Sequence, residues 1–230
     1  MKHLNVEFFK GCNSKTAISE VSFLLDSEDK NKLNQVPWAK YNYLPRVHFA
    51  MAYGTDCIFL KYYVNEKFIR AAHGAANTAV YQDACVEFFI SFDDEKPYYN
   101  LEFNCIGTML IGYGETKTER VLLSDQLISQ IKYQAVINND QRGNDVHWEL
   151  TVAIPFTTFC FHKLNSLEGE KCRANFYKCG DNLPKPHFIS WSNIKWSEPN
   201  FHLPEFFGTL QFFIDQPVEF KDHCNKSVLH

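Results

Sequence analysis

The sequence predicts an all-β fold: an antiparallel two-sheet β-sandwich, immunoglobulin-like or jelly-roll-like, with a few short helices. Among its 230 residues are 21 Phe and 11 Tyr but only 3 Met, and flat aromatic side chains suit pleated sheets better than helix bundles. Strand-like runs also follow one another without long helices between them, which indicates antiparallel pairing and two packed sheets. Because no Pro-, Gly- or Ser-rich linker interrupts this series, we expect residues 1–230 to form one domain.

The predicted elements follow in chain order. Leu4 to Lys10 is a candidate strand, and apolar residues at helical spacing predict a short helix over Thr16 to Leu25. Arg46 to Tyr53 and Asp56 to Val64, separated by a Gly-Thr dipeptide, have the pattern of a β-hairpin. The later candidate strands are rich in β-branched or aromatic residues and are bounded by Gly, Asn, Asp or Pro. They are Val86 to Phe92, Tyr98 to Asn104, Thr108 to Tyr113, Gln130 to Ile137, His147 to Ile154, Lys171 to Lys178 and Gly208 to Phe213.

Charge and hydropathy exclude several classes of partner. The formal net charge is −4 and no basic block occurs, which argues against a nucleic-acid ligand. No apolar run is long enough to span a bilayer, so we expect no membrane span. The eight cysteines lack C-x-x-C spacing and mostly lie in apolar segments, as expected of small buried side chains in a reducing compartment. The first residues also lack the apolar core of a signal peptide, so these features favour a cytoplasmic location.

Strand alternation predicts one polar sheet face. In VEFFISF, Val86 and Phe88 share a face, and Glu87 points to the opposite side. The same alternation in YNLEFN places Glu102 and Asn104 together. If the two segments are neighbouring strands, these carboxylate and amide groups share one face and provide a polar floor for a ligand.

These residues belong to a longer series of motifs. VYQDACVEFFISF is followed by YYNLEFNCIG, HWELTVAIPF, CRANFYKCG and ISWSNIKWSEPNFHLPEFFGTLQF. In order and spacing the series resembles the family 9 carbohydrate-binding modules, which are best known as accessory domains of xylanases and have single-domain relatives in polysaccharide-degrading bacteria. The resemblance covers about Trp38 to Phe213. It implies non-catalytic binding of a saccharide and a location outside the cytoplasm, in conflict with the cysteines and the N-terminus.

The resemblance also implies individual site residues, in a β-sandwich that holds a sugar between two aromatic side chains. These fall on Tyr81 and Phe201, where xylan- and cellulose-binding members have Trp, so weaker binding or a different ligand is expected. Trp196, in the same loop as Phe201, is an alternative aromatic wall. Glu102 stands where the xylan-binding pattern has a basic residue. The implied polar partners of the sugar hydroxyls are Glu87, Glu102, Asn104, Tyr177, Lys185 and Glu198.

Two other functions fit the same residues. Asp83, Glu87 and Glu102 could supply the two carboxylates of a glycoside hydrolase of xylanase-like activity, although no other catalytic motif accompanies them. A protein-interaction module would instead use exposed aromatic residues as a binding hot spot. Its candidates are Trp191, Trp196, Phe201 and Phe206.

No cofactor is required by this interpretation, but a structural calcium ion is an open alternative. Members of this family often carry structural calcium, so the resemblance implies a calcium ion here as well. Asp93, Asp94 and Glu95 cluster three hard oxygen ligands after a predicted strand. A solvated acidic turn explains them equally well. The nine histidines form no tight ligand set in the sequence, which argues against zinc.

Overall fold

The computed structural model describes residues 1–93, 96–139 and 145–213. The two helices found in these ranges are α1 (Ile18–Ser27) and α2 (Asp125–Ile128). The strands are β1 (His3–Phe8), β2 (Asn31–Leu33), β3 (Arg46–Tyr53), β4 (Cys57–Glu66), β5 (Cys85–Ser91), β6 (Tyr98–Asn104), β7 (Met109–Gly114), β8 (Arg120–Leu122), β9 (Lys132–Asn139), β10 (Val146–Pro155), β11 (Lys171–Cys179), β12 (Phe188–Ser190) and β13 (Gly208–Phe212). Short 3-10 turns span Val80–Gln82, Phe156–Thr158 and Pro204–Phe206.

The strands form one continuous, curled and mixed sheet. Within the described ranges it has thirteen strands in the order β8-β7-β6-β5-β11-β13-β1-β3-β4-β10-β9, with β12 beside β11 and β2 beside β3. The start of β1 pairs in parallel with β13, and its end pairs in parallel with β3. The mostly-β prediction is confirmed, but residues 1–93, 96–139 and 145–213 do not form two separate antiparallel sheets. Alternation within a strand reports which face is buried, whereas the pairing of the first strand with the last depends on contacts distant in sequence.

The core lies between the two groups of strands that the curled sheet brings face to face. Phe49 of β3 stacks on Phe176 of β11, with ring centroids 3.9 Å apart, and Phe88 of β5 stacks on the same ring at 5.1 Å. The edge of Trp191 meets Phe176 at 5.5 Å. The large aromatic content of the sequence therefore fills this interior, as the composition predicted.

A buried polar cluster also crosses the core. The Lys178 ammonium lies 3.0 Å from a carboxylate oxygen of Glu66, and all of both side chains is buried. Trp148 donates its indole N–H to the other Glu66 oxygen at 2.7 Å, and the Lys178 ammonium donates to Nε2 of His187 at 2.9 Å. Burial, and then the charge of Lys178, lowers the pKa of His187 to about 3, so this histidine is neutral. The cluster ties β11 to β4 and β10 through groups that are partnered inside the protein.

Several short elements are absent from the sequence prediction. The three-residue strands β2, β8 and β12 and the four-residue helix α2 are too short to show a periodic pattern. The longer elements lie within a few residues of their predicted bounds. In the described part of the chain, no helix is long and apolar enough to cross a membrane. Among the cysteines described, only Cys160 is exposed and none forms a disulfide, while Cys224 lies outside the described residues.

Candidate functional site

A pocket of about 490 Å³ lies against the outer face of β5 and β6, on the side of the sheet away from the core. Part of β11, the 3-10 turn that carries Tyr81, and the segments 117–122 and 199–202 complete its walls. Its lining residues are Tyr81, Glu87, Asn100, Glu102, Leu110, Lys117, Thr118, Arg120, Leu122, Cys179, Asp181, Phe188, Pro199, Asn200, Phe201 and His202. Four of the predicted site residues, Tyr81, Glu87, Glu102 and Phe201, are therefore brought together.

Two glutamates form the floor of this pocket. Glu87 and Glu102 are direct partners in the antiparallel register of β5 and β6, which confirms that they share one sheet face. Side chains at such positions lie about 5 Å apart at Cβ. Asn100 donates to Oε1 of Glu102 at 2.9 Å, and the Cys179 thiol donates to Oε1 of Glu87 at 3.0 Å. Oε2 of Glu102 is buried and has no hydrogen-bond partner among the residues that the structure describes.

Burial of this carboxylate pair shifts its titration. The pKa of Glu102 rises from 4.5 to about 7, mainly because its carboxylate is removed from water, although Asn100 and Arg120 oppose the rise. The pKa of Glu87 is also raised well above its ordinary value, first by burial and then by the negative charge of Glu102. The two groups therefore resist carrying two negative charges together unless a ligand supplies compensating donors.

This shift makes Glu102→Gln a test of the electrostatics. Because the pKa of Glu102 is raised in the folded state, its ionisation favours unfolding: the penalty is absent below pH 4.5, grows between 4.5 and about 7, and is constant above. At pH 8 we expect the variant to be more stable than the wild type by on the order of 2 kcal/mol, with the gain disappearing near pH 4.5. Urea unfolding at both pH values measures it.

The matched control for this substitution is Glu198→Gln, because Glu198 is an exposed glutamate outside the pocket. It should leave the free energy of unfolding nearly unchanged at both pH values. A gain in Glu102→Gln that is independent of pH, or a loss of stability at pH 8, would contradict the electrostatic account.

Arg120 fixes the polar floor indirectly. Its Nε donates to Oδ1 of Asn100 at 2.7 Å, and its Nη2 donates to the Tyr98 carbonyl at 2.8 Å. Its guanidinium also lies over the Tyr98 ring, 4.4 Å from the centroid. Since Asn100 in turn donates to Glu102, Arg120 orients the glutamate through an intermediate residue without forming an ion pair with it.

Two aromatic side chains border the pocket in different ways. Tyr81 is 39% exposed, so much of its ring is free to meet a ligand. Phe201 is only 8% exposed and stacks on Tyr177, with centroids 4.2 Å apart and planes 11° from parallel. The Tyr177 hydroxyl donates to the Phe201 carbonyl at 3.1 Å, so Tyr177, which the resemblance implied as a sugar contact, is buried and holds Phe201 in place.

The other predicted contact residues do not line the pocket. Asn104 is fully buried and donates to Asp83 and to the His73 carbonyl. Lys185 is exposed, with its ammonium 5.8 Å from the centroid of the Tyr43 ring. Trp196 is 52% exposed and Glu198 is also exposed, both in the loop before the pocket segment. Alternation placed Asn104 on the correct strand face, but it could not show that neighbouring segments cover that position.

The residues proposed for a glycoside hydrolase, or for a protein-interaction module, do not all lie together. Asp83 is fully buried, forms an ion pair with Arg70 at 2.7 Å and does not line the pocket, so it is separated from the glutamate pair. Of the four aromatic residues considered for a protein interface, Trp191 is buried, Phe201 is nearly so and only Trp196 is well exposed. They do not form a contiguous exposed patch of the kind a protein interface requires.

Side chains of the types that bind metal ions cluster in two places. The Asp93 carboxylate contacts the His162 ring, with Oδ2 and Nε2 2.7 Å apart. The other two predicted calcium ligands, Asp94 and Glu95, lie outside the described residues. Below the pocket, the thiols of Cys85 and Cys179 and the Glu87 carboxylate lie within 4.8 Å of one another. Because the Cys179 thiol already donates to Glu87, these groups satisfy each other and we assign no metal to them.

Sequence reasoning missed several pocket residues. Asn100 could have been predicted, because it lies two residues before Glu102 on the same strand and therefore faces the same side. Arg120 and Lys117 come from β8 and the turn before it, which show no pattern. Asp181 and His202 follow elements whose positions around the pocket depend on the whole fold. Burial raises the pKa of Asp181 to about 6 and lowers that of His202 to about 3.

Comparison with known proteins agrees with the motif series. The family model for carbohydrate-binding family 9 matches residues 19–212. A structure of a Bacteroides uniformis ATCC 8492 protein, provisionally described as carbohydrate-binding, is 38% identical with a TM-score of 0.85, covering 92% of this chain and 99% of that one. No functionally curated protein matches the sequence significantly.

Two more distant structures share the fold. Both are family 9 carbohydrate-binding modules from Caldicellulosiruptor kristjanssonii. One, in complex with glucose, is 11% identical with a TM-score of 0.61, covering 94% of this chain and 97% of that one. The other, in complex with cellotriose, is 10% identical with a TM-score of 0.59 and full coverage of both chains, 100% each. From the extent of the family match and the motifs that carry it, this chain belongs to the family 9 carbohydrate-binding modules.

Proposed function

We propose that the protein binds a saccharide without catalysing its breakdown, and that the pocket above Glu87 and Glu102 is the binding site. The observation that supports the site is a buried carboxylate oxygen, Oε2 of Glu102, that has no hydrogen-bond partner within the described ranges and lies in the same pocket as the partly exposed ring of Tyr81. A pyranose has an apolar face of C–H groups and a rim of hydroxyl donors, so it suits an aromatic plate beside polar acceptors.

Each part of the pocket would have a distinct task. Tyr81 would stack on the apolar face of the ring, with Phe201 closing the pocket from another side. Glu102 and Glu87 would accept hydrogen bonds from hydroxyl groups. Arg120 would act through Asn100 to hold Glu102 in position, as its 2.7 Å hydrogen bond to Asn100 supports. The pocket volume of about 490 Å³ is in the range of small-molecule sites.

The choice of first ligands follows from the related structures. Modules of this fold are known in complex with glucose and cellotriose, which makes glucose and short β-linked glucose oligomers suitable probes. Fragments of xylan and cellulose extend the series. Thermal scans with added calcium and with a chelator test the predicted acidic turn, because a structural ion there would raise the melting temperature.

Tyr81→Ala is the variant that tests the site. Loss of the stacking plate should weaken saccharide binding by about 30-fold, the effect of removing a hot-spot residue, while the melting temperature changes little because Tyr81 is 39% exposed and lies outside the buried apolar clusters. Tyr133→Ala is a matched control, since Tyr133 is 48% exposed but lies on β9 outside the pocket. Titration calorimetry measures the affinities and a thermal scan measures the stability.

Each result of these measurements would have a different meaning. Binding that survives Tyr81→Ala, or that falls equally in Tyr133→Ala, would place the saccharide elsewhere. A large fall in melting temperature in Tyr81→Ala would show that the ring stabilises the fold. Failure of every saccharide to bind the wild-type protein would overturn the proposed function itself.

A further inference from the structure

The pocket contains more carboxylates than its neighbouring cations neutralise. Glu87 and Glu102 are 3% and 4% exposed and face each other across β5 and β6, and Asp181 lines the same pocket. Among the described residues, none of these three carboxylates has a lysine or arginine within ion-pair distance. Buried carboxylates in proteins are normally paired with a cation, so this arrangement needs an explanation.

The two cationic side chains at the pocket do not supply that pairing. The Arg120 guanidinium donates to Asn100 and to the carbonyls of Tyr98, Gly112, Gly114 and Thr116. These bonds occupy its donors and hold it beside the floor as a positioning group. Lys117 is exposed at the rim. The floor carboxylates are therefore left without a direct cationic partner among the described residues.

The unpartnered oxygen shows where such a ligand would bind. Oε2 of Glu102 is buried and accepts no hydrogen bond from the described part of the chain, and the other oxygen of this side chain already accepts from Asn100. An ionised carboxylate oxygen can only accept hydrogen bonds. A hydroxyl group supplies one donor and no charge, whereas an ammonium group supplies three donors and a positive charge, and charge-assisted hydrogen bonds are about twice as strong as neutral ones.

We propose that this pocket selects an amino sugar, a pyranose with a free ammonium substituent, and that the ammonium group binds between Glu87 and Glu102 while the ring lies against Tyr81. This inference rests on the proposed function, because it specifies the ligand class of the same site. Burial raises the pKa of both glutamates, so in the free protein the pair is neutralised in part by protons. A bound ammonium group replaces that proton and completes the hydrogen bonds of the floor.

The test compares sugars that differ in one substituent. Glucosamine and galactosamine are titrated into the wild-type protein by calorimetry at pH 7.5, beside glucose, galactose and the N-acetylated forms, in which the nitrogen carries no charge. We expect at least one amino sugar to bind about tenfold more tightly than its neutral and acetylated counterparts. Glu102→Gln should reduce that preference to about twofold or less, while Glu168→Gln, at an exposed glutamate outside the pocket, should preserve it.

The possible results distinguish this inference from the proposed function. A neutral hexose that binds as tightly as its amino counterpart would overturn the amino-sugar assignment and leave saccharide binding in place. A preference that persists unchanged in Glu102→Gln would also overturn it, since the ammonium would then be held elsewhere. If no sugar of any kind binds, both the proposed function and this inference fail.

Discussion

Lys178→Met is expected to lower the free energy of unfolding by about 3–5 kcal/mol. The substitution removes the cation that lies 3.0 Å from Glu66. The Trp148 indole is then the only hydrogen-bond donor that the described residues offer to this fully buried carboxylate. An uncompensated buried charge is among the largest single-residue penalties known in proteins. Urea unfolding at pH 7, followed by tryptophan fluorescence and circular dichroism, measures the change.

Lys61→Met provides a matched control. Lys61 is nearly as buried as Lys178, and it forms ion pairs with Asp26 at 2.7 Å and Glu149 at 2.9 Å. Those carboxylates are 48% and 26% exposed, so water can solvate them once the lysine is gone. We therefore expect a smaller loss, about 1–2 kcal/mol. Equal losses in the two variants would contradict the assignment of the penalty to buried Glu66.

A double variant isolates the interaction further. Lys178→Met combined with Glu66→Leu removes both charges of the buried pair. We expect it to be more stable than Lys178→Met alone, because no buried charge is left unpaired. A loss equal to the sum of the two single losses would mean that the residues act independently.

Asp83→Ala is expected to lower the free energy of unfolding by about 2–4 kcal/mol. The buried Asp83 carboxylate accepts hydrogen bonds from Arg70 at 2.7 Å and from the Ala72 N–H, the His73 N–H and the Asn104 amide at 3.0 Å each. The substitution removes their shared acceptor, and the fully buried Asn104 amide loses one of its two hydrogen bonds. Chemical denaturation measures the effect, and Asp56→Ala, which removes an exposed acceptor of two Ser14 bonds, serves as the control with a smaller loss.

The same variant separates structural from binding carboxylates. Because Asp83 does not line the pocket, Asp83→Ala should retain most of its saccharide affinity under conditions where it is folded. Tyr81→Ala is expected to behave in the opposite way, with affinity lost and stability kept. Loss of affinity in folded Asp83→Ala without loss of stability would mean that Asp83 takes part in ligand binding.

Local pattern predicted much of the fold. The run from Val86 to Phe92 and the run from Tyr98 to Asn104 are neighbouring strands, and alternation correctly placed Glu87 and Glu102 on one face. Alternation works here because each strand has one face in the core and the other face against the pocket or its walls. The parallel pairing of β1 with both β13 and β3 could not be predicted, because the six residues of β1 contain no signal for which distant strands they will pair with.

The candidate site was predicted less completely, and the reasons are physical. Glu87 and Glu102 come from regular strands, so their direction follows from the backbone. Tyr177 shares their face, but the segment containing Phe201 folds over it and turns it from a surface residue into a buried one. Arg120 is part of a three-residue strand with no periodic signal, and its hydrogen bond to Asn100 exists only once β6, β7 and β8 are aligned.

The central claim, that the pocket above Glu87 and Glu102 holds a sugar, is tested most directly by a crystal structure with the tightest-binding saccharide. We expect one sugar ring in the pocket, packed against Tyr81, with a hydroxyl or ammonium group within hydrogen-bond distance of Oε2 of Glu102. A saccharide bound instead at the exposed ring of Trp196, with the pocket empty, would contradict the account.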